Sequence, residues 1–242
     1  MSRSLEGKIA LVTGASRGIG YAAAKAFAAA GAHVIAVART VGGLEELDDA
    51  IQSSGGSATL VPLDLRDGPA IDRLGGEIYK RWGRLDILLA NAGVLGTITP
   101  LSHLEPKVFD EVMATNVTAN WRLIRSLDPL LRQSDAGRAL FISSGAAHSC
   151  RPYWGAYAMS KAALEVMALV YSRETANTPI KTIVINPGAL RTAMRALAAP
   201  GEDPATLKTP ADLAPHLVEL GGSTTDKSGV LWDFSTLGFT AL

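Results

Sequence analysis

Tyr157 and Lys161 are the residues of this chain whose types and spacing most readily do chemistry. Because they are four residues apart, they lie on one face if the segment is helical. An ammonium beside a phenol favours the phenolate, so the pKa of Tyr157 is predicted to fall below its reference of about 10. Such a phenol can protonate a developing alkoxide, or deprotonate an alcohol, near neutral pH. Ser144, after an apolar run, could hydrogen-bond and orient the substrate oxygen.

A glycine-rich turn follows the first apolar run of the chain. Glycine lets the backbone approach a pyrophosphate closely, and a helix that begins in the turn offers free N–H groups and the positive end of its dipole. The turn therefore predicts a dinucleotide site, with a spacing of Gly-x-x-x-Gly-x-Gly after Thr13. Its predicted cofactor contacts are Gly14, Ser16, Arg17, Gly18, Ile19 and Gly20.

The end of the second predicted strand indicates which dinucleotide binds. An NAD site would favour an acidic residue there, about twenty residues after the turn, to hold the ribose 2′-hydroxyl. The chain has Ala38, which leaves space, and Arg39, whose guanidinium suits a 2′-phosphate. Arg17 is a second candidate for that phosphate. NADP(H) is the predicted cofactor; the alternative is that both arginines are solvated surface charges.

Short apolar, β-rich runs alternate with amphipathic or Ala-rich stretches along the chain. The strand candidates are residues 9–12, 34–38, 59–62, 87–90, 139–143, 182–185 and 230–234. The helix candidates are residues 18–30, 43–53, 69–82, 106–133, 156–175 and 210–220. Most strand candidates are apolar throughout, which is typical of strands covered on both faces. We expect one α/β domain over residues 1–242, a doubly wound, mostly parallel Rossmann-type sheet with helices on both faces.

Composition and charge exclude several classes of protein. The chain has 23 lysines and arginines against 23 aspartates and glutamates, which gives no footprint for nucleic acid or an anionic membrane. Its single cysteine, Cys150, excludes an internal disulfide and indicates a reducing compartment. The polar residues 1–8 do not read as a signal peptide, and no apolar run approaches the ~20 residues of a membrane span. We expect a soluble, cytoplasmic protein without a metal site.

Further motifs occur in the order and approximate spacing of one known family. Besides residues 13–20, they are Asp64, Asn91-Ala92-Gly93, Asn116, Ser144, Tyr157, Lys161 and Pro187-Gly188. On these motifs the chain resembles the short-chain dehydrogenase/reductase family from residue 8 to about residue 235. The segment from Met194 to Pro210 is similar to a bacterial branch whose substrates are largely unassigned.

The resemblance implies a role for each matching residue. Tyr157 would be the general acid/base, and Lys161 would lower its pKa while holding the nicotinamide ribose. Ser144 would steady the substrate carbonyl, and Asn116 would hold a water that links Lys161 to solvent. The remaining cofactor contacts would be Asp64 and Leu65 near the adenine, Asn91, Ala92 and Gly93 beside the cofactor, Pro187 and Gly188 after the sixth strand, and Thr192 at the carboxamide. Ala90 replaces an asparagine that often precedes Asn-Ala-Gly, a departure that affects sheet stability more than chemistry.

The expected substrate is small and largely apolar, because residues 94–96, 146–154 and 190–199 are mostly apolar candidate walls. His148 and Arg195 could meet an acidic substituent, although a solvated loop position is favoured for both. Residues 190–209 form the longest irregular stretch and are interpreted as a mobile lid, with a variable surface loop as the alternative.

Two other functions remain open from the sequence. One is a dinucleotide-binding sensor or scaffold without turnover, and the other is a nicotinamide-dependent epimerase or dehydratase. The long helices at 106–133 and 156–175 carry more apolar surface than covering a sheet requires. Together with the family resemblance, this predicts a homodimer or homotetramer.

Overall fold

The computed structural model describes residues 4–242, which contain eight strands in a single sheet. Along the chain the strands are β1 (Ile9–Thr13), β2 (His33–Ala38), β3 (Ser57–Pro62), β4 (Ile87–Ala90), β5 (Arg138–Ile142), β6 (Lys181–Asn186), β7 (Val230–Asp233) and β8 (Gly238–Ala241). Their order in the sheet is β3-β2-β1-β4-β5-β6-β7-β8, with β8 antiparallel to β7 and the other pairs parallel. The doubly wound topology is confirmed.

Helices cover both faces of this sheet. They are α1 (Gly18–Ala29), α2 (Val41–Gln52), α3 (Gly68–Trp82), α4 (Pro106–Met113), α5 (Ala119–Leu131), α6 (Ala146–Ser149), α7 (Gly155–Glu174), α8 (Ala193–Ala198) and α9 (Pro210–Gly221). Buried side chains of α1, α2 and α9 form the core on one face, and those of α3, α5 and α7 form the core on the other. Because both faces are covered, the central strands are apolar throughout.

The segment predicted as a helix over residues 106–133 is helical from residue 106 to residue 131, but it is not one regular α-helix. A π-helical turn, Ala114–Thr118, separates α4 from α5 and contains the fully buried Asn116. The wider turn releases the Asn116 carbonyl, which accepts a hydrogen bond of 2.7 Å from Asn120 Nδ2. Turns of this kind are frequent at functional sites. The helical pattern in the sequence does not reveal the extra residue in the turn.

The C-terminal third differs from the expectation in two further places. Strand β8 was not predicted, because it is a short edge strand with exposed side chains and no continuous apolar run. Residues 190–209, expected to be irregular, contain α8 and a 3₁₀ turn, Pro204–Thr206, joined by a bridge between Leu190 and Lys208. Among residues 4–242, no helix combines the length and the apolar character that crossing a bilayer would need.

Candidate active site

A cleft of about 1030 Å³ runs along the carboxyl ends of the parallel strands. This is the edge at which open α/β sheets bind ligands. Of the residues predicted as site residues, Gly20 and Asn116 do not line the cleft. Those that line it are Gly14, Ser16, Arg17, Gly18, Ile19, Arg39, Asp64, Leu65, Asn91, Ala92, Gly93, Ser144, Tyr157, Lys161, Pro187, Gly188 and Thr192.

The glycine-rich turn is fixed by Thr13, the last residue of β1. Its buried hydroxyl accepts hydrogen bonds from the backbone N–H groups of Asn91 and Ala92, at 2.9 and 3.0 Å. The Asn91 side chain in turn donates to the Thr13 carbonyl at 2.8 Å. The turn after β1 and the segment after β4 are therefore held against each other. The sequence placed Thr13 in the motif but did not indicate this role.

Gly20, in the first turn of α1, allows the helix backbone to pack closely against the backbone at Gly14. A Cβ atom at this position would lie 2.3 Å from the Gly14 carbonyl oxygen and 2.7 Å from Asn91 Nδ2. Both distances are shorter than van der Waals contact allows. Gly14 itself has a φ of +66°, a conformation that favours glycine. Gly20 thus packs inside the turn, and the cofactor contacts of these glycines stay a prediction.

The amino end of α1 faces the cleft and suits an anion. Its N-cap, Arg17, is extended and, in the part of the chain described, makes no side-chain capping hydrogen bond there. The first N–H groups of the helix and its positive dipole end are thus directed to the site. Arg17 and the exposed Arg39 both line this part of the cleft, so two guanidinium groups add positive charge.

Asp64, expected near an adenine, forms an ion pair within its own segment. Arg66 donates to its carboxylate at 2.6 Å, and this side-chain hydrogen bond is the main reason that the pKa of Asp64 lies below its ordinary value. The carboxylate still lines the cleft beside Leu65. An adenine amino group at this position would therefore meet a carboxylate shared with Arg66.

Tyr157 is almost completely buried at the other end of the cleft. Burial raises the pKa of its phenol above the ordinary value, and a hydrogen bond with the Ser144 side chain acts in the opposite direction. The predicted direction of the shift is therefore wrong. Lys161 Nζ lies 5.7 Å from the Tyr157 ring centroid and does not offset the burial. A buried phenol of this kind is protonated at neutral pH and suited to give a proton.

Lys161 is buried one helical turn after Tyr157, on α7. Its ammonium donates to the Ile142 carbonyl, at the end of β5, over 2.7 Å. Burial lowers the pKa of Lys161 to about 8, while the Glu165 carboxylate opposes the change. The ammonium is next to the cofactor segment, since a Cβ atom on Gly93 would lie 3.7 Å from Nζ.

Asn116 lies behind the cleft and connects two of its walls. Its Oδ1 accepts from the Val94 N–H at 2.8 Å, and its Nδ2 donates to the Val94 carbonyl and to Ser160 Oγ, each at 2.9 Å. These bonds join the segment after β4 to α7, beside Lys161. The sequence identified the residue, but an ordinary helix position gives no signal that the side chain is buried.

Residues 190–209 form one wall of the cleft, and hydrogen bonds from two arginines of this segment hold it together. Arg195, in α8, forms a paired contact with the Glu202 carboxylate at 2.5 and 2.6 Å. Arg191 donates to the Pro204 carbonyl at 2.8 Å, and Thr192 caps α8 by accepting from the Arg195 N–H. On the other side, His148 pairs with Glu165 at 2.8 Å. Neither His148 nor Arg195 is the free cation that the sequence left available for an acidic substituent.

Comparisons with known proteins agree with this arrangement. Residues 8–203 match the family model described as short chain dehydrogenase. The chain is 42% identical over 233 residues to the uncharacterized oxidoreductase YciK of Escherichia coli K12, covering 95% of this chain and 92% of that protein. It superposes on a short chain dehydrogenase of Shigella flexneri complexed with NADP, with a TM-score of 0.92, 41% identity and coverage of 96% and 99%. An Escherichia coli CFT073 homologue complexed with NADPH gives 0.91, 40% and the same coverage.

Replacing Gly20 with alanine tests the geometry of the turn. We expect Gly20→Ala to lower the free energy of unfolding by about 1–3 kcal/mol, because the new Cβ atom forces the turn away from Asn91. Urea unfolding followed by circular dichroism measures the change. Gly76→Ala is the matched control: this helical glycine in α3 has open space around it, so the change should be neutral or stabilising. Equal stability of Gly20→Ala and wild type would show that the turn is not tightly packed.

Proposed function

This chain is a member of the short-chain dehydrogenase family, and we propose that it is an NADP(H)-dependent oxidoreductase that interconverts an alcohol and a carbonyl. The observation that carries the proposal is the cleft, which connects the glycine-rich turn to Ser144 and to the buried Tyr157 and Lys161. NADP and NADPH are bound by two homologues of nearly the same fold. The residues present fit such a cofactor, since the amino end of α1 and the guanidinium groups of Arg17 and Arg39 line the same part of the cleft.

The chain's own residues account for the proton in this reaction. Bound NADPH would supply the hydride. Tyr157, whose phenol is protonated at neutral pH and whose pKa is raised further by burial, gives its proton to the oxygen of the carbonyl as charge develops there. Ser144 hydrogen-bonds the same oxygen and fixes its position.

Lys161 and Asn116 support this proton transfer in different ways. We assign to the Lys161 ammonium two roles, which are to hold the nicotinamide ribose and to stabilise the tyrosinate left after proton transfer. Asn116 is proposed as a positioning residue, because its side chain is committed to Val94 and Ser160. The adenine end would be held by Asp64 and Leu65. The Pro187-Gly188 turn and Thr192 would contact the nicotinamide end.

We infer an uncharged, largely apolar substrate and a cytoplasmic place of action. The substrate end of the cleft is lined by apolar side chains, among them Leu95, Trp154, Met194 and Leu197. Its arginine, Arg195, is already paired with Glu202. The single cysteine and the absence of a charge excess agree with a soluble enzyme of a reducing compartment.

Exchange of Arg39 tests the choice of cofactor. Arg39→Ala should weaken NADPH binding by about 10-fold to 100-fold, the value of one charge-assisted hydrogen bond, and leave NADH binding nearly unchanged. Fluorescence titration with each reduced cofactor measures both dissociation constants. Arg73→Ala removes an exposed arginine on α3 and should change neither constant. Wild-type binding of NADH as tight as NADPH would contradict the proposal.

Exchange of Tyr157 tests the proton donor. Tyr157→Phe keeps the ring and its packing, so the fold and the NADPH affinity should survive. Turnover of an active ketone should fall by about 10²–10⁴-fold, as expected when a general acid is lost. Absorbance of the reduced nicotinamide measures turnover on a panel of ketones and alcohols. A folded Tyr157→Phe protein that retains most of its activity would remove Tyr157 from the mechanism.

Two companion variants separate the roles around Tyr157. Lys161→Ala should reduce both turnover and NADPH affinity, because the ammonium is assigned to the ribose and to the phenol. Ser144→Ala should reduce turnover while the cofactor still binds. A scaffold or sensor protein would instead bind NADPH and show no turnover with any substrate, before or after these changes.

We also propose that the protein is a homodimer or homotetramer. Met159, Val166 and Val170 on α7 and Trp121 on α5 leave 41%, 63%, 49% and 48% of their surfaces exposed. Light scattering should give at least twice the monomer mass of 25.3 kDa. Val166→Asp should lower that mass, because it places a charge on the exposed helix face. Tyr79→Asp, at an equally exposed residue of α3, is the matched control. A wild-type mass near 25.3 kDa would contradict this proposal.

A further inference from the structure

Glu165 is a buried carboxylate that the proposed chemistry leaves without a role. Only 5% of its surface is exposed, although carboxylates are rarely buried unless they are paired. Both of its oxygens have partners. Ser143 Oγ donates to Oε1 at 2.5 Å, and His148 Nε2 lies 2.8 Å from Oε2. The side chain is therefore held in one position within α7.

The two partners flank the serine that is assigned to the substrate. Ser143 follows β5 directly and precedes Ser144, and His148 belongs to α6 on the far side of Ser144. The residue before Ser143 is Ile142, whose carbonyl accepts the Lys161 ammonium. The short segment from Ile142 to Ser144 thus contains both Ser144 and the carbonyl that accepts the hydrogen bond from Lys161. Glu165 joins this turn to α7 at two points.

Glu165 also follows Lys161 by one helical turn on the same side of α7. Glu165 and Lys161 are both buried, and so is Tyr157, which precedes Lys161 by four residues. Residues four apart on a helix are neighbours. A carboxylate in this position acts on the turn through hydrogen bonds and on the ammonium through its charge.

We propose that Glu165 is a positioning residue for the reaction, which holds the turn carrying Ser144 against the helix that carries Tyr157 and Lys161. The inference rests on the proposed function, because it takes these three residues as the ones that act on the substrate. Glu165 does not touch the substrate itself.

The charge of Glu165 gives this role a signature in pH. The titratable groups that face it are Lys161 from α7 and His148 from α6, whereas the neighbouring turn after β5 contributes the neutral Ser143. Tyr157 is the other titratable neighbour of Lys161. Burial lowers the pKa of Lys161 and the Glu165 carboxylate raises it. Without that charge the ammonium would lose its proton at lower pH, so activity would be lost earlier as pH rises.

Glu165→Gln tests the proposal, since glutamine keeps the shape and can still accept from Ser143. The kcat for reduction of an active ketone should fall by about 10-fold to 100-fold, the cost of a slightly misplaced reacting group. NADPH affinity should change little. The alkaline limb of the kcat profile should move to lower pH. Glu174→Gln removes an exposed carboxylate from the same helix and should change neither kcat nor the profile.

Ser143→Ala separates the hydrogen bond from the charge. It removes the tie between the turn and α7 but leaves the Glu165 carboxylate beside Lys161. We expect a lower kcat with the alkaline limb in its wild-type position. This variant also decides the question if Glu165→Gln fails to fold, because an unchanged kcat in Ser143→Ala would overturn the positioning role.

A readout without turnover keeps this inference distinct from the proposed function. Lysine labelled with carbon-13 at Cε reports the titration of Lys161 by NMR, with Lys161→Arg assigning the signal. Its midpoint should be lower in Glu165→Gln than in wild type. An unshifted midpoint with an unchanged kcat overturns the proposal even if Tyr157→Phe is inactive and the proposed function stands. A fully active Tyr157→Phe would instead overturn the proposed function, and the positioning role with it, whatever the midpoint.

Discussion

The ammonium of Lys161 is almost completely buried and hydrogen-bonds the Ile142 carbonyl at the end of β5. A charge removed from water must be met by dipoles or by an opposite charge, or it loses its proton. This hydrogen bond joins α7 to the end of β5, beside the packing of Leu164 and Ala168 of the same helix in the core. Tyr157 lies one turn earlier on α7. The arrangement of Tyr157 and Lys161 at the cleft therefore depends on how this buried cation is satisfied.

The end of the cleft at the glycine-rich turn depends on a different constraint. There the backbone after β1 must approach the backbone after β4 closely. Thr13 and Asn91 exchange hydrogen bonds across the ends of β1 and β4, and a side chain at Gly20 would prevent this contact. The two halves of the cleft meet at Gly93, where a Cβ atom would lie near Asn116 Oδ1 and Lys161 Nζ. The π-turn serves this junction, because it turns Asn116 inward toward Val94 and Ser160. The buried Asn116 amide therefore joins the segment after β4 to α7.

The sequence predicts most of this fold, for physical reasons that differ from element to element. Central strands such as β4 are buried on both faces, so they are continuous apolar runs whose bounds can be read directly. Strand β8 is short and half exposed, and it pairs with β7 as the second strand of a hairpin, so no continuous apolar run marks it in the sequence. The π-turn is one extra residue within a helix pattern. For the π-turn the deciding contacts are distant in sequence, since they join Asn116 to Val94 and Ser160.

The candidate site shows the same division. Types and spacing indicate Tyr157 and Lys161, but the pKa of Tyr157 shifts in the direction opposite to the prediction, because burial outweighs an ammonium that is directed elsewhere. Glu165 has no motif around it in the sequence and becomes visible only through its partners. The burial and the direction of a side chain are determined by packing. They cannot be predicted from the four-residue spacing of Tyr157 and Lys161.

The wall of the cleft formed by residues 190–209 limits which substrates can enter, and its own hydrogen bonds hold it together. A substrate carboxylate directed at Arg195 would have to displace Glu202 from a two-point contact in a partly buried place, and would gain only an exchange of one carboxylate for another. Uncharged substrates incur no such cost. The same contact, with the bonds from Arg191 to the Pro204 carbonyl, joins α8 to the following turn. The wall formed by residues 190–209 is therefore held as one unit, which the bridge between Leu190 and Lys208 closes at its two ends.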